Sequence, residues 1–375
     1  MRGKRSTKPG AVVGRSLLRI VNIAVGCVTL MCAYGGIVDP ATWVVPAFAV
    51  MAFPIMAAGC VLLALVDLLT DRRQALWMVG TLVLCAGPLS NLIPLNFNHN
   101  ERVADAPADS TFTLMTYNTF GMVDLSNSPD SVNGIPFHAT LDCIVRRHPD
   151  IVCMQEGRAI DNPMLRKAYP QLTDSLIAMY PYRSIKDGVV FLSKYRMEEV
   201  PTNIPDGESF STACVRMTVE GNELYVLGVH MQSIGLTDDD KALFRELTKL
   251  EASKAELRMA KSQIGGKLAK AFRERSAQVK QVREFVDSIN VKNIIVCGDF
   301  NDVPGCYAIR TLRADDLRDA YLEGGLGYSI TYNKNRLYFR IDHILYRGSL
   351  TALSTVRDTN RGSDHYPLIT TFEWK

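Results

Sequence analysis

Long apolar runs open the chain and short ones follow. Ile20 to Val38 and Pro40 to Val66 are uncharged, and a third apolar stretch runs from Ala75 to Leu95. Each is long enough to cross about 30 Å of hydrocarbon as a helix, so the pattern predicts three transmembrane helices within residues 1–95. From Thr111 the apolar or β-branched runs shorten and are bounded by turn residues: Phe112 to Tyr117, Ile151 to Met154, Val189 to Leu192, Ala213 to Val219, Leu224 to Val229, Ile294 to Val296, Ile341 to Tyr346 and Leu368 to Phe372. These predict strands. Glu220, Gly221, Asn222 and Glu223 predict a hairpin turn in which Gly and Asn supply the positive φ. Thr140 to Arg147 has helical spacing through Leu141, Ile144 and Val145, and Asp238 to Ile289 predicts one or two long helices, broken at Gly265 and Gly266. Continuous apolar strand cores together with a hairpin predict two packed mixed sheets flanked by helices.

Charge divides along the same line. The chain has 375 residues, of which 47% are hydrophobic and 22% charged, a composition that excludes global disorder. The first hundred residues hold eight Lys or Arg and three Asp, which leaves 34 basic and 36 acidic residues for the remainder. A net −2 for the C-terminal part weakens a role in tracking a polyanion backbone. Arg2, Lys4, Arg5, Lys8, Arg15 and Arg19 precede the first run, Arg72 and Arg73 separate the second from the third, and no basic residue lies near Asp39 and Pro40. The basic ends mark the cytoplasmic side. Three crossings then leave everything after Asn96 extracytoplasmic, periplasmic in a bacterium, and three successive runs mark a retained anchor rather than a cleaved signal peptide. Residues 96–110 are expected to be a linker and residues 111–375 a soluble domain. Four of nine cysteines lie in the apolar runs and none forms a CxxC pair, so neither a zinc site nor a disulfide framework is expected.

Candidate chemistry sits where polar residues interrupt strand ends. Asn118 closes Leu114 to Tyr117, Glu156 follows Ile151 to Gln155, His230 closes Leu224 to Val229, and Asp299 with Asn301 closes Ile294 to Gly298. Asp342 lies in Arg340-Ile341-Asp342-His343-Ile344-Leu345, and Gly362-Ser363-Asp364-His365 leads into the last strand. Each alone reads as a turn former or a solvated side chain. Together they supply hard oxygen ligands and two histidines without competing thiolates, the composition of a site for Mg²⁺ or Mn²⁺ and a phosphoryl substrate. Strand alternation lets Asp299 and Asn301 share a face with Phe300 turned away, and admits only one of Asp342 and His343, of which Asp342 is taken. Asp364 and His365 can both enter only if Gly362 and Ser363 hold a turn.

Met115-Thr116-Tyr117-Asn118, Gln155-Glu156, Gly298-Asp299-Phe300-Asn301, Arg340-Ile341-Asp342-His343 and Ser363-Asp364-His365, in this order, resemble the motifs of the endonuclease/exonuclease/phosphatase superfamily, from about Thr111 to Lys375. The resemblance implies a four-layer α/β sandwich and metal-dependent phosphoester hydrolysis. It implies Glu156 as principal metal ligand, with Asn118 and Asp364 near the metal or phosphate. Asp299 would orient or deprotonate water, Asn301 would donate to phosphate oxygens, His365 and Asp342 would pair, and His230 would contact phosphate or protonate the leaving group. The expected protein is thus a membrane-anchored phosphodiesterase or phosphatase using Mg²⁺ or Mn²⁺. Its partners are a phosphoester (phospholipid headgroup, compact phosphoester or nucleic acid) and the bilayer, and a monomer is expected. A tethered nuclease and a catalytically silent phospholigand-binding module are the alternatives. Arg275 and Gln278 are read as the solvated face of a charged helix.

Overall fold

Apolar composition alone does not keep the third N-terminal run straight. The computed structural model describes residues 9–122, 138–186, 188–207, 209–237, 239, 240, 243, 254–334 and 338–375. The two segments long and apolar enough to cross a membrane are Ser16–Ile37, which is most of α1 (Pro9–Tyr34) and the turn after it, and Val45–Thr70, which is α2 (Val45–Thr70). The third run divides into α3 (Arg72–Leu84) and α4 (Ala86–Leu92), bent by 61°, so three straight spanning helices become two and a bent pair. Pro88 is the cause: it has no N–H for the Leu84 carbonyl and its ring clashes with that group. The Tyr34 hydroxyl donates to Leu84 O instead. Asn22 Nδ2 donates to Asp67 Oδ2 at 2.6 Å and Trp77 Nε1 to the Asn22 carbonyl at 3.3 Å, polar links of the kind that hold apolar helices together.

A second compact unit begins at Ile93. Its first stretch, residues 96–110, contains α5 (His99–Asp105). Asn96 Nδ2 donates to the carbonyls of Leu322 and Gly325, and Arg102 donates to those of Glu323 and Ala352. The strands that follow are β1 (Thr111–Asn118), β2 (Ile151–Gln155), β3 (Tyr182–Lys186), β4 (Val189–Ser193), β5 (Met197–Val200) and β6 (Ser211–Val219). After them come β7 (Asn222–His230), β8 (Ile294–Asp299), β9 (Arg318–Asp319), β10 (Asp342–Arg347), β11 (Leu350–Arg357) and β12 (Leu368–Trp374). They form two mixed six-stranded sheets in the orders β11-β12-β1-β2-β4-β3 and β5-β6-β7-β8-β10-β9. The parallel pairs are β1 with β2 and β7 with β8; the other neighbours run antiparallel.

Alternate strand residues fill different layers. Leu114, Cys153 and Phe191 of the first sheet meet Val215, Val226 and Ile295 of the second in one apolar core. On the outer face Met115, Val152 and Leu192 pack against Leu141, Ile144 and Leu176 of helices His138–Arg147 and Pro170–Met179. Gly228 is required where the sheets approach, because a Cβ there would lie 2.6 Å from Val189 Cγ1 and 2.7 Å from Cys153 Sγ.

Two local expectations are corrected. The Lys254–Ser288 helix runs unbroken through Gly265 and Gly266, since isolated glycines cost a helix only about 1 kcal/mol each and packing overrides them. Val279, Val282 and Val286 of that helix are fully buried. Residues 238, 241, 242 and 244–253 of the same expected helical stretch lie outside the described residues. The β6–β7 turn uses Glu220 (φ 48°) and Gly221 (φ 79°), not Asn222, as its two left-handed positions, the pattern of a two-residue type I′ hairpin.

Candidate active site

Register assembles the site. His230, Asp299 and Asp342 are direct neighbours across β7, β8 and β10, so all three side chains share one face at one end of the second sheet. Asn118 ends β1, Glu156 follows β2, and Ser363-Asp364-His365 precedes β12. Gly298 turns the chain into Asp299 with φ +146°, and a Cβ there would lie 1.9 Å from Val229 O; among the genetically coded residues only glycine fits. Glu156 (φ 57°) and Asn301 (φ 52°) are also left-handed, backbone strain of the kind that gathers at functional sites.

Asp299 is 1% exposed. Its Oδ2 accepts from Asn118 Nδ2 at 2.9 Å and Asn301 Nδ2 at 3.2 Å, and its Oδ1 accepts from the Asn301 N–H at 2.8 Å. His365 Nε2 stands 3.7 Å and His230 Nε2 3.8 Å from Asp299 Oδ2. Burial raises the Asp299 carboxyl above the ordinary range, His365 counters and Asp342 adds to the rise. His365 Nδ1 is 2.8 Å from Asp342 Oδ2. Burial opposes the imidazolium, but the Asp342 and Asp299 carboxylates outweigh it and raise His365 to about 10. Asp342 and Asp299 thereby hold a charged ring between them.

Asn118 Nδ2 also reaches Glu156 Oε1 at 3.3 Å, while its Oδ1 accepts the Phe120 N–H at 3.0 Å. Its amide therefore links the two carboxylates. Asn301 Nδ2 is engaged by Met231 O at 2.9 Å as well as by Asp299, so donation to a substrate oxygen exchanges one of these bonds. The Ser363 hydroxyl donates to Asn118 O at 2.7 Å and accepts the His365 N–H at 3.1 Å; this turn brings both Asp364 and His365 to the site. Burial raises the Asp364 carboxyl, and the negative charge of Glu156 adds to the rise while Lys334 lowers it.

Asp299, Asp342 and His365 bring ligand atoms within 4.8 Å of one another. The charged ring offsets one of the two carboxylates in that trio and is already held by Asp342 through Nδ1. Glu156, its side chain 38% exposed, and Asp364 are the mutually repelling oxygens a divalent cation would relieve. Their donor chemistry fits Mg²⁺ or Mn²⁺.

His343 faces away from the cluster. It is buried edge-on to Phe300, with Nε2 3.0 Å from Asp302 O. Arg275, expected on a solvated face, is 1% exposed: Nη1 donates to Gln232 O at 2.9 Å and Nε faces Asp302 Oδ2 at 3.4 Å, while Gln278 Oε1 accepts the Gln232 N–H. The helix thus braces both loops that carry the site, after His230 and after Asn301. Charge at a fixed helical spacing carries no signal for this, because burial of Arg275 is decided by Asp302 from another element. Tyr332 was also illegible: its ring meets His365 edge-on at 5.1 Å.

The family model described as Endonuclease/Exonuclease/phosphatase family matches residues 115–365, and a domain of unknown function, DUF8431, matches residues 15–92. No curated relative matches. Similar solved structures include the human Nocturnin catalytic domain with bound sulfate, at 16% identity over 71% of this chain and 95% of that one, TM-score 0.44. An endonuclease/exonuclease/phosphatase family protein from Leptotrichia buccalis is 15% identical over 70% of this chain and 100% of that one, TM-score 0.45. A beta toxin from Staphylococcus aureus is 16% identical over 69% and 99%, TM-score 0.44. With its motifs gathered at one end of two mixed sheets and the family match spanning residues 115–365, the chain belongs to the endonuclease/exonuclease/phosphatase family.

Proposed function

We propose that the protein is a membrane-anchored hydrolase of phosphoester bonds that depends on Mg²⁺ or Mn²⁺. The carrying observation is the charged His365–Asp342 pair set against the buried Asp299, beside the carboxylates of Glu156 and Asp364. Glu156 and Asp364 would hold the cation, with Asn118 fixing Glu156 relative to Asp299. When bound, the cation supplies Lewis-acid polarisation of the phosphoryl oxygen. Asp299, whose proton affinity burial raises, accepts the proton of a water that attacks phosphorus in line with the leaving oxygen. Charged His365 and the Asn301 amide stabilise the charge developing on the phosphoryl oxygens, and His230 protonates the leaving oxygen.

The bent pair α3 and α4, 13 and 7 residues long, makes one crossing in this reading. Arg72 and Arg73 sit at its cytoplasmic end, and the catalytic unit is extracytoplasmic and the chain multi-pass. A compact phosphoester or lipid headgroup is favoured over long duplex nucleic acid, because the C-terminal part carries no net positive charge to neutralise a polymer backbone. Purified full-length protein, loaded with Mg²⁺ or Mn²⁺, is to be assayed in one buffer on plasmid DNA, structured RNA, phospholipid vesicles and soluble phosphoesters. Turnover stopped by chelation and by Asp299→Ala is expected. Metal-independent turnover, or none of any phosphoester, would sink the assignment; plasmid nicking without lipid or small-ester turnover would make it a nuclease.

A further inference from the structure

The stretch joining the last apolar helix to the catalytic unit has its polarity reversed. Asn96 and Arg102 turn inward onto backbone carbonyls of the catalytic unit, whereas Leu95 is 64% and Phe97 76% exposed. Leu95 pairs as an isolated antiparallel bridge with Leu326, and Gly327 N donates to Pro94 O at 2.7 Å. Leu326, Tyr328 and Tyr338 are exposed as well, and the Tyr328 hydroxyl donates to the Tyr338 carbonyl at 3.1 Å. Five large exposed apolar or aromatic side chains thus lie along two segments tied together at Leu95 and Leu326 and at Pro94 and Gly327, with Tyr338 bonded to Tyr328, the kind of surface that a soluble domain buries against something.

Chain connectivity names the occupant. Leu95 lies three residues beyond Leu92, the end of α4, a reach of about 10 Å at full extension. Whether α3 and α4 cross as one span or lie along the membrane, Leu92 ends the last apolar helix. The patch that starts three residues later is therefore held at the level of the headgroups, where tyrosine and leucine side chains partition well. We propose that Leu95, Phe97, Leu326, Tyr328 and Tyr338 form a seat in the interface of the bilayer that the N-terminal helices occupy.

The seat is coupled to the chemistry through one arm. Four residues after Tyr328, the Tyr332 ring contacts His365; Asn333 N donates to Asp364 O at 3.0 Å, and Thr331 Oγ1 accepts the N–H groups of Ile341 and Asp342. An amphiphile lying in the leaflet beside this arm would present its phosphoester to the site without leaving the bilayer. This deepens the proposed hydrolase function and rests on it for the substrate class, a membrane phospholipid; the seat itself does not depend on it.

The test uses the full chain in vesicles of phosphatidylcholine and anionic lipid. Cys27 is the exposed cysteine among the nine and is first replaced by Cys27→Ser. Phe97→Cys, Tyr328→Cys and, as a control, Glu220→Cys are then labelled with a polarity-sensitive dye; Glu220 lies at the end of β7 opposite His230. Spin-labelled lipid should quench the dye at 97 and 328 and leave it undiminished at 220. Equal quenching at all three, or none at 97 and 328, overturns the seat whatever the enzyme hydrolyses. In the unlabelled protein, Phe97→Ser with Tyr328→Ser should lower turnover of vesicle lipid about tenfold or more, each lost apolar anchor weakening the interfacial contact, while turnover of a soluble activated phosphodiester is unchanged. A fall in both substrates alike, or in neither, overturns the link to lipid. If the unsubstituted protein turns over neither, the hydrolase reading fails and the dye depths still decide the seat.

Discussion

Asp342 Oδ2 lies 2.8 Å from His365 Nδ1, with both residues buried. This bond joins the first residue of β10 to the turn before β12 and sets which ring nitrogen is free to face Asp299. Replacing Asp342 by Asn removes the anion that sustains the imidazolium while keeping the size of the side chain. Single-turnover cleavage of an activated phosphoester should fall about a hundredfold, the scale for disabling an acid/base group. Unchanged turnover in Asp342→Asn would remove His365 from the chemistry.

Glu156 and Asp364 repel each other in the absence of a cation, since the charge of Glu156 helps raise the Asp364 carboxyl. Binding of Mg²⁺ or Mn²⁺ to the folded state alone should therefore raise the thermal midpoint, by about 2.7 kcal/mol equivalent at a hundredfold excess over Kd. The rise should disappear with chelator and in Glu156→Gln. Calorimetry checks it without reference to turnover, and an equal rise in Glu156→Gln would move the cation elsewhere.

The buried His343 gives the catalytic unit a pH signature. Burial, with the Arg340 guanidinium adding, lowers its imidazole to about 4 from the ordinary 6.5. The unfolded chain therefore binds the proton first. Stability supplied by the neutral ring is whole above pH 6.5 and is lost as pH falls from about 6.5 to about 4, a change of about 3 kcal/mol. Denaturant unfolding across that range should show the slope, and His343→Gln should flatten it at the expense of overall stability.

Arg275 and Asp302 are both buried. Arg275→Met leaves the Asp302 carboxylate facing an apolar side chain, which should destabilise the unit by about 3 to 5 kcal/mol. Arg275→Lys should recover part of that stability but not the loop geometry, since one ammonium cannot reproduce the guanidinium fork that spans Asp302 and Gln232 O. Turnover well below the unsubstituted level in a folded Arg275→Lys protein, with binding of a substrate analogue retained, is the expected outcome.

The side of the membrane occupied by the catalytic unit turns on whether α3 and α4 cross together. A reporter active only in the cytoplasm, fused after Lys375, should be silent if the bent pair is a third crossing, because an odd number of spans from a cytoplasmic basic start ends outside. Activity of that reporter would mean two crossings and a cytoplasmic site.

Periodicity along the chain is a local property, and by itself it determined the apolar N-terminal segment, the central strands of both sheets and the polar residues at their ends. The strands that periodicity did not reveal are β3, β5, β9 and β11, the four edges of the two sheets. These strands interleave polar residues with the apolar ones, as in Met-Glu-Glu-Val of β5, whose two glutamates are exposed, and in the Thr and Ser of Leu-Thr-Ala-Leu-Ser-Thr-Val-Arg in β11, so they lack a continuous apolar signature. Strand alternation alone separated Asp342 from His343, because the two faces of a strand are fixed by backbone geometry. Only tertiary structure decided that His230, Asp299 and Asp342 share one row and that Arg275 is buried. It also brought Tyr332 to His365. Register and burial come from pairings between segments distant in sequence, whose energies depend on the whole core, and no window of neighbouring residues contains them.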